Sequence, residues 1–311
     1  MRTLDGPNTT LAMPGADRSG LAGPPGVQLQ CLEVWGGNAP VDTAVCVTGM
    51  DAYLLSESVD GGAGGDVYLA SMCACANISR FVLADVVGHG PAAATLAVRL
   101  RRLMRRHINT PDQSRLARSL NTDFLRVSPD VQFATALMAT FLPRTRHLVM
   151  CSAGHPRPLC YRASTRAWDF LPAVAEPPSG DVLNLPFGVI PGTCYEQFSA
   201  ELRPGDLVLA YTDGLTEARG PDGNMLRETG LLDLVRDMDV TQPREFIPGL
   251  RRALRRFAHE SPLEDDLSLL LLSPNGGQPP RQSLGQKLVV GARALGLLRP
   301  PRRSGGIVQG D

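Results

Sequence analysis

The sequence predicts an α+β fold in which antiparallel strands form the core and helices lie outside them. Three observations carry that expectation. Short apolar runs of strand length, punctuated by Gly, Pro and Asn, recur from Val27 to Arg162 and again from Leu207. Four other stretches place apolar residues at helical spacing. Several of the strand-like runs begin or end on an aspartate, which places carboxylates where strands leave the core.

Composition bounds the function before any motif is read. With 311 residues the chain can bury one sizeable core or two modest ones. Lys plus Arg and Asp plus Glu both number 31, so zero net charge gives no global case for nucleic acid or an anionic membrane as partner. No signal peptide and no apolar run of about 18 residues is visible, so a cytoplasmic protein is expected. The seven cysteines (Cys31, Cys46, Cys73, Cys75, Cys151, Cys160 and Cys194) are odd in number and scattered through apolar runs. They read as reduced packing residues, and the lone C-x-C pair at Cys73 and Cys75 lacks a second cluster for metal or redox chemistry.

Taken in order, residues 1–26 are rich in Gly, Pro, Thr and Asp and are expected to form a flexible arm. The runs VQLQCLEVW, TAVCVTGM and AYLLSES read as strands at the edge of a sheet. A hairpin is expected next, with one strand from about Val67 to Ala76, a turn over Asn77 to Arg80, and a second strand reaching Asp85. From Pro91 the period becomes helical, with Ala94, Leu96, Ala97, Leu100, Leu103 and Met104 on one side. Arg99, Arg101, Arg102, Arg105 and Arg106 crowd the same helix and read as a solvated face rather than an anion-binding surface. A second helix covers about Pro111 to Arg126. FATALMATF, HLVMCSAG and PLCYR read as an antiparallel meander, and residues 163–205 as an irregular surface loop. LVLAYTD is a strand from Leu207, helices are expected at about Glu228 to Met238 and Pro243 to His259, and EDDLSLLLLS supplies a last strand. This divides the chain into an arm (1–26), a folded domain (27–274) and a flexible tail (275–311).

Four carboxylates share one placement although they are far apart in the sequence. Asp66 begins a strand after two glycines, Asp85 ends one before VVGHG, Asp213 ends one before Gly214, and Asp265 precedes LSLLLL. Asp85 alone reads equally well as a cap on the turn into a helix. If the strands are neighbours, however, all four acids gather at one end, where their mutual repulsion calls for a cation. A site built mainly of Asp suits Mg²⁺ or Mn²⁺ better than Zn²⁺, and two such ions can activate a shared water for phosphoryl transfer.

The motifs GGD (Gly64–Asp66), DVVGHG (Asp85–Gly90), FAT (Phe133–Thr135), AGHPRPL (Ala153–Leu159), PFG (Pro186–Gly188), GDLVLAYTDGLTEAR (Gly205–Arg219) and EDDLSLLLL (Glu264–Leu272) stand in order. The set resembles the PPM-type, or protein phosphatase 2C-like, metal-dependent serine/threonine phosphatases, and within them the bacterial stage II sporulation protein E branch. That resemblance implies a four-layer αββα sandwich, two antiparallel sheets packed face to face with helices outside both. It implies two Mn²⁺ or Mg²⁺ ions bridged by Asp85. The Val86 carbonyl and Asp66 would serve one ion, and Asp213 and Asp265 the other. Asp266 is then expected to support the site from behind. The implied reaction is hydrolysis of phosphoserine or phosphothreonine by metal-activated water, with no phosphoenzyme. The implied substrate is a phosphorylated protein, such as an anti-sigma-factor antagonist.

His89 is a candidate general acid for the leaving alkoxide, against the simpler role of hydrogen-bonding its turn; it lies four residues after Asp85, which does not match the family's histidine position. His155 is expected to order a loop near the cleft. Members of the branch often carry a second aspartate as GGDxxD, and Leu69 stands at that position here. Short flanks leave no room for a sensory domain, so regulation is expected from the 163–205 loop, a partner or a homodimer. The competing reading is a catalytically silent phosphoprotein-binding module of the same fold.

Overall fold

Alternation along the strands decides which residues face which layer. In β5 (Asp66–Cys73) and β6 (Ile78–Val86), Tyr68, Ala70, Phe81 and Leu83 join one apolar cluster, while Val67, Leu69, Val82 and Ala84 join another. The structure, a computed structural model, describes residues 26–30, 33–73, 76–128, 132–171 and 183–279.

Two sheets form from these alternating strands. The six-stranded sheet runs β11 (Gln197–Glu201), β8 (His147–Ala153), β7 (Ala134–Leu142), β6, β5, β2 (Glu33–Gly37). The seven-stranded sheet runs β1 (Val27–Gln28), β3 (Val41–Val47), β4 (Met50–Glu57), β13 (Leu267–Pro274), β12 (Leu207–Tyr211), β9 (Leu159–Arg162), β10 (Ala167–Phe170). Pairing is antiparallel except between β1 and β3, which run parallel. One cluster joins the facing sides of both sheets, with Leu83, Leu137 and Phe141 of one against Leu54, Val208 and Leu270 of the other.

Helices cover the outer faces. Along α1 (Gly90–His107) the buried positions Ala93, Leu96, Ala97, Leu100, Leu103 and Met104 follow the helical period. They pack with α2 (Gln113–Val127) on the outer face of the six-stranded sheet. Asp112 caps α2 by accepting the Arg115 N–H at 2.6 Å. Helices α4 (Arg227–Arg236) and α5 (Pro243–Phe257) bury Leu231, Val235, Phe246 and Leu250 against Leu209, Leu269 and Leu271 of the other sheet. No helix among the described residues is long and apolar enough to cross a membrane.

Four local expectations are corrected. β4 is an interior strand between β3 and β13, because its Leu54 and Leu55 are buried on opposite faces. Residues 78–80 belong to β6 rather than to a turn: Arg80 is buried there, its guanidinium donating to Thr140 Oγ1 and to the carbonyls of Ile108 and Thr110. The meander breaks after β8, since the AGHPRP segment carries the chain into the other sheet, where β9 pairs with β12. The stretch 163–205 supplies β10 and β11, and its Phe187, Tyr195 and Leu202 are buried. The arm at 1–25, Cys31, Cys75 and the tail from 280 lie outside the described residues.

Candidate functional site

The strand ends named from the sequence meet at one end of the sandwich. Asp66 and Asp85 are register partners across β5 and β6. Asp213 follows β12 and serves as N-cap residue of the one-turn helix α3 (Gly214–Glu217), and Asp265 and Asp266 precede β13, the neighbour of β12. The carboxylates feel one another across the sheets. Burial first, then the charges of Asp66, Asp213, Asp265 and Asp266, hold the Asp85 carboxyl well above the usual carboxylate range. Asp66 is raised as well, by burial, although the Ser268 and Thr212 hydroxyls offset part of the shift. Asp213 is pushed up to about 6 by burial, with Glu217 and Asp265 adding to it. Asp265 is raised by burial and by Asp266.

Glycines make this approach of backbones feasible. A Cβ on Gly65 would stand 2.9 Å from the Val86 carbonyl oxygen and 3.1 Å from that of Gly88, so only glycine lets the 58–65 loop lie against the turn after β6. A Cβ on Gly214 would collide with the Asp266 carbonyl.

Asp266 is turned away from open space. Its Oδ1 accepts the Val59 N–H at 2.9 Å and its Oδ2 accepts the Gly65 N–H at 2.7 Å, so it ties the β4–β5 loop to the start of β13. Asp265 accepts the Asp266 N–H at 2.8 Å and remains half-buried. His89, the N-cap residue of α1, is exposed and makes no side-chain cap hydrogen bond, yet it lies near enough to Asp265 to lower that carboxyl slightly. Leu69, where the branch carries a second aspartate, is buried in the apolar layer with α1 and α2.

Two supports complete the site: Thr212, which escaped the sequence reading, and His155, whose partner it did not name. Thr212 donates its hydroxyl to Asp66 Oδ2 at 2.9 Å and accepts the Ser268 N–H at 2.8 Å. The buried His155 ring places Nδ1 2.9 Å from the hydroxyl of Thr135, the register partner of Asp85, and burial pushes its pKa down to about 3, so it is neutral. The threonine directly before Asp213, in YTD, is the local pointer to the first; AGHP points to His155 but not to its partner Thr135.

The donor set fits hard divalent cations. Asp66 Oδ1 is a buried carboxylate oxygen with no hydrogen-bond partner among the described residues, and the charges of Asp266 and Asp213 act on its carboxyl. Among the described residues, no group of three or more His, Cys, Asp or Glu is disposed so that it could hold a metal ion as it stands.

The sequence profile of stage II sporulation protein E (SpoIIE) matches residues 78–275. The chain belongs to the SpoIIE family. Phosphoserine phosphatase RsbU of Bacillus subtilis (strain 168) is 24% identical over 194 residues, covering 62% of this chain and 55% of RsbU. The chain thus spans about half the length of that curated relative. The solved RsbU and RsbW domains of a Mycobacterium tuberculosis protein match at 26% identity and a TM-score of 0.62, covering 78% of this chain and 65% of that one. The solved PP2C phosphatase domain, with a fragment of the regulatory domain, of SpoIIE from Bacillus subtilis matches at 18% identity and a TM-score of 0.58, covering 78% of this chain and 64% of that one. This SpoIIE-family chain therefore carries the PP2C-type α+β fold expected from its motifs.

Proposed function

We propose that this SpoIIE-family chain is a metal-dependent protein phosphatase that hydrolyses phosphoserine or phosphothreonine on a cytoplasmic regulatory protein, such as an anti-sigma-factor antagonist, with residues 27–274 as its catalytic domain. The observation that supports this reading best is the meeting of Asp66, Asp85, Asp213 and Asp265, two from each sheet, with every carboxyl held above its usual range. These four and the Val86 carbonyl would hold two Mn²⁺ or Mg²⁺ ions. Bound there, such ions supply charge neutralisation and a water acidic enough to ionise near neutral pH.

The chain's own residues do the rest. Thr212 fixes one oxygen of Asp66 and leaves the other bare. Asp266 holds the glycine loop closed behind the site through Val59 and Gly65. His155, held neutral, braces Thr135 beside Asp85 and carries no proton in the reaction. His89, exposed and close enough to act on the Asp265 carboxyl, would be the group to give a proton to the departing seryl oxygen.

The test is hydrolysis of para-nitrophenyl phosphate and of a phosphoserine peptide in Mn²⁺, with and without EDTA. Activity that EDTA abolishes, and that Asp85→Asn and Asp213→Asn each lower by about a hundredfold or more, is expected. A protein inert in both metals that still binds the phosphopeptide would instead be a silent binding module.

A further inference from the structure

A groove of about 460 Å³ opens between the end of β4, the C-terminal half of α5 and the loop at 260–263. We propose that it docks the segment of the phosphoprotein next to the scissile phosphoester, and that it selects an apolar side chain followed by an acidic one. This rests on the phosphatase reading above.

Position is the first argument. Val59 and Leu267 line the groove, and both are attached to the acidic end: the Val59 N–H binds Asp266, and Leu267 follows Asp266 in the chain. A substrate whose phosphate lies among the aspartates therefore leads its neighbouring residues over this groove. The volume falls within the range of clefts that hold small ligands, about 300–1,000 Å³.

The lining states the chemistry. Leu254 and Leu267 form a fully buried apolar floor, and Val59 at the rim is 41% exposed. Glu57 and Arg251 pair with each other, which leaves Arg255 on the α5 wall and Glu260 on the far lip as the charges at opposite sides of the groove. Arg255 lines the groove, is exposed, and has no carboxylate paired with it among the described residues. Charge in the last turn of α5 also suits the helix dipole, which accounts for Arg256 equally well, but of these two only Arg255 lines the groove. A planar, permanently charged guanidinium over an apolar floor recognises a carboxylate presented beside a hydrophobic side chain.

The far lip is strained. His259 and Glu260 take left-handed φ values of +50° and +61° in succession, where a helix end ordinarily places glycine. Three backbone bonds hold this turn, His259 N–H to the Arg256 carbonyl at 3.2 Å, Glu260 N–H to the Arg255 carbonyl at 2.9 Å and Ser261 N–H to the Ala258 carbonyl at 3.0 Å. Such strain persists where the shape it makes is used.

The experiment compares two phosphoserine peptides identical except for Leu-Asp or Leu-Lys beside the phosphoserine. Binding is read by fluorescence anisotropy and turnover in Mn²⁺, each relative to para-nitrophenyl phosphate. The wild-type protein should prefer the Leu-Asp peptide by about tenfold, Arg255→Glu should reverse the preference, and Val59→Asp should weaken both peptides. A preference that Arg255→Glu does not move, in protein that hydrolyses para-nitrophenyl phosphate, overturns the groove and leaves the phosphatase reading intact. Peptide selection that follows Arg255 without any hydrolysis overturns the phosphatase reading instead. A dimer broken by Arg255→Glu, without peptide selection, would assign the groove to self-association and overturn the proposal.

Discussion

Thr212 and Asp66 belong to different sheets and are joined by a 2.9 Å hydrogen bond between fully buried groups. The hydroxyl also accepts the backbone N–H of Ser268, so one side chain ties β12, β13 and β5 together at the acidic end. Thr212→Val keeps the volume and removes the donor. Loss of such a supporting bond typically costs about 10- to 100-fold in metal affinity or activity. Calorimetric Mn²⁺ titration of Thr212→Val should show that loss with little change in the circular dichroism spectrum.

The raised carboxyls give metal-free protein a pH dependence with a definite sign. A carboxyl whose folded pKa lies above its unfolded value favours the protonated folded state. Its contribution is complete below about pH 4 and is lost as pH rises through the folded value, about 6 for Asp213 and higher for the Asp66–Asp85 pair. After chelation, the Tm contribution of this cluster should fall from pH 4 upward, and Mn²⁺ should raise Tm more at pH 8 than at pH 5. Equal metal-induced shifts at both values would contradict the arrangement.

His155 works in the opposite direction. Its folded pKa of about 3 lies below the unfolded value near 6.5, so its contribution is full above pH 6.5 and is lost as pH falls toward 3. His155→Gln keeps a neutral polar side chain that does not titrate there. Urea unfolding across pH 3 to 7 should show a shallower acid slope for the variant than for wild type.

Asp265 and Asp266 are adjacent but should separate cleanly. Asp266→Ala leaves the Val59 and Gly65 N–H groups without their acceptor, and an unsatisfied buried group costs about 1–3 kcal/mol. Asp265→Ala removes a repelling charge and should leave metal-free stability equal or higher while it weakens the metal response. Chemical denaturation of the two variants with and without Mn²⁺ gives both numbers.

Gly154, at the switch between sheets, has a φ of +65°, and a Cβ there would strike the ring of Pro186. Gly154→Ala should destabilise by more than the roughly 1 kcal/mol of the backbone term alone, read as a lower urea midpoint at unchanged slope.

The fold class was legible because Asp at strand ends, alternating β-runs and two pairs of amphipathic helices are local patterns. The same locality marks Asp66, Asp85, Asp213 and Asp265 as strand-end acids, but that β5, β6, β12 and β13 bring those ends near one another is a property of the sheet order. What escaped depends on partners distant in sequence. β9 reads as a third meander strand, but its partner is β12, and Leu159 and Cys160 are buried on both faces only in that pairing. Residues 163–205 look like loop because their proline and glycine content outweighs the five-residue β11, whose stability comes from β8. Thr212 bonds Asp66 of the other sheet and Ser268 of its neighbouring strand, and His155 bonds Thr135 of the strand beside its own, contacts that no periodicity encodes.

β13 is the last strand among the described residues yet lies inside its sheet, with Leu267 opposite Glu57 on one side and Leu272 opposite Val208 on the other. During synthesis, β4 and β12 must wait with open edges until the final strand leaves the ribosome and closes the gap between them. Contacts over such sequence separations make folding slow. A chain ending before residue 265 would lack this strand, and the two bare edges left in the sheet would invite aggregation.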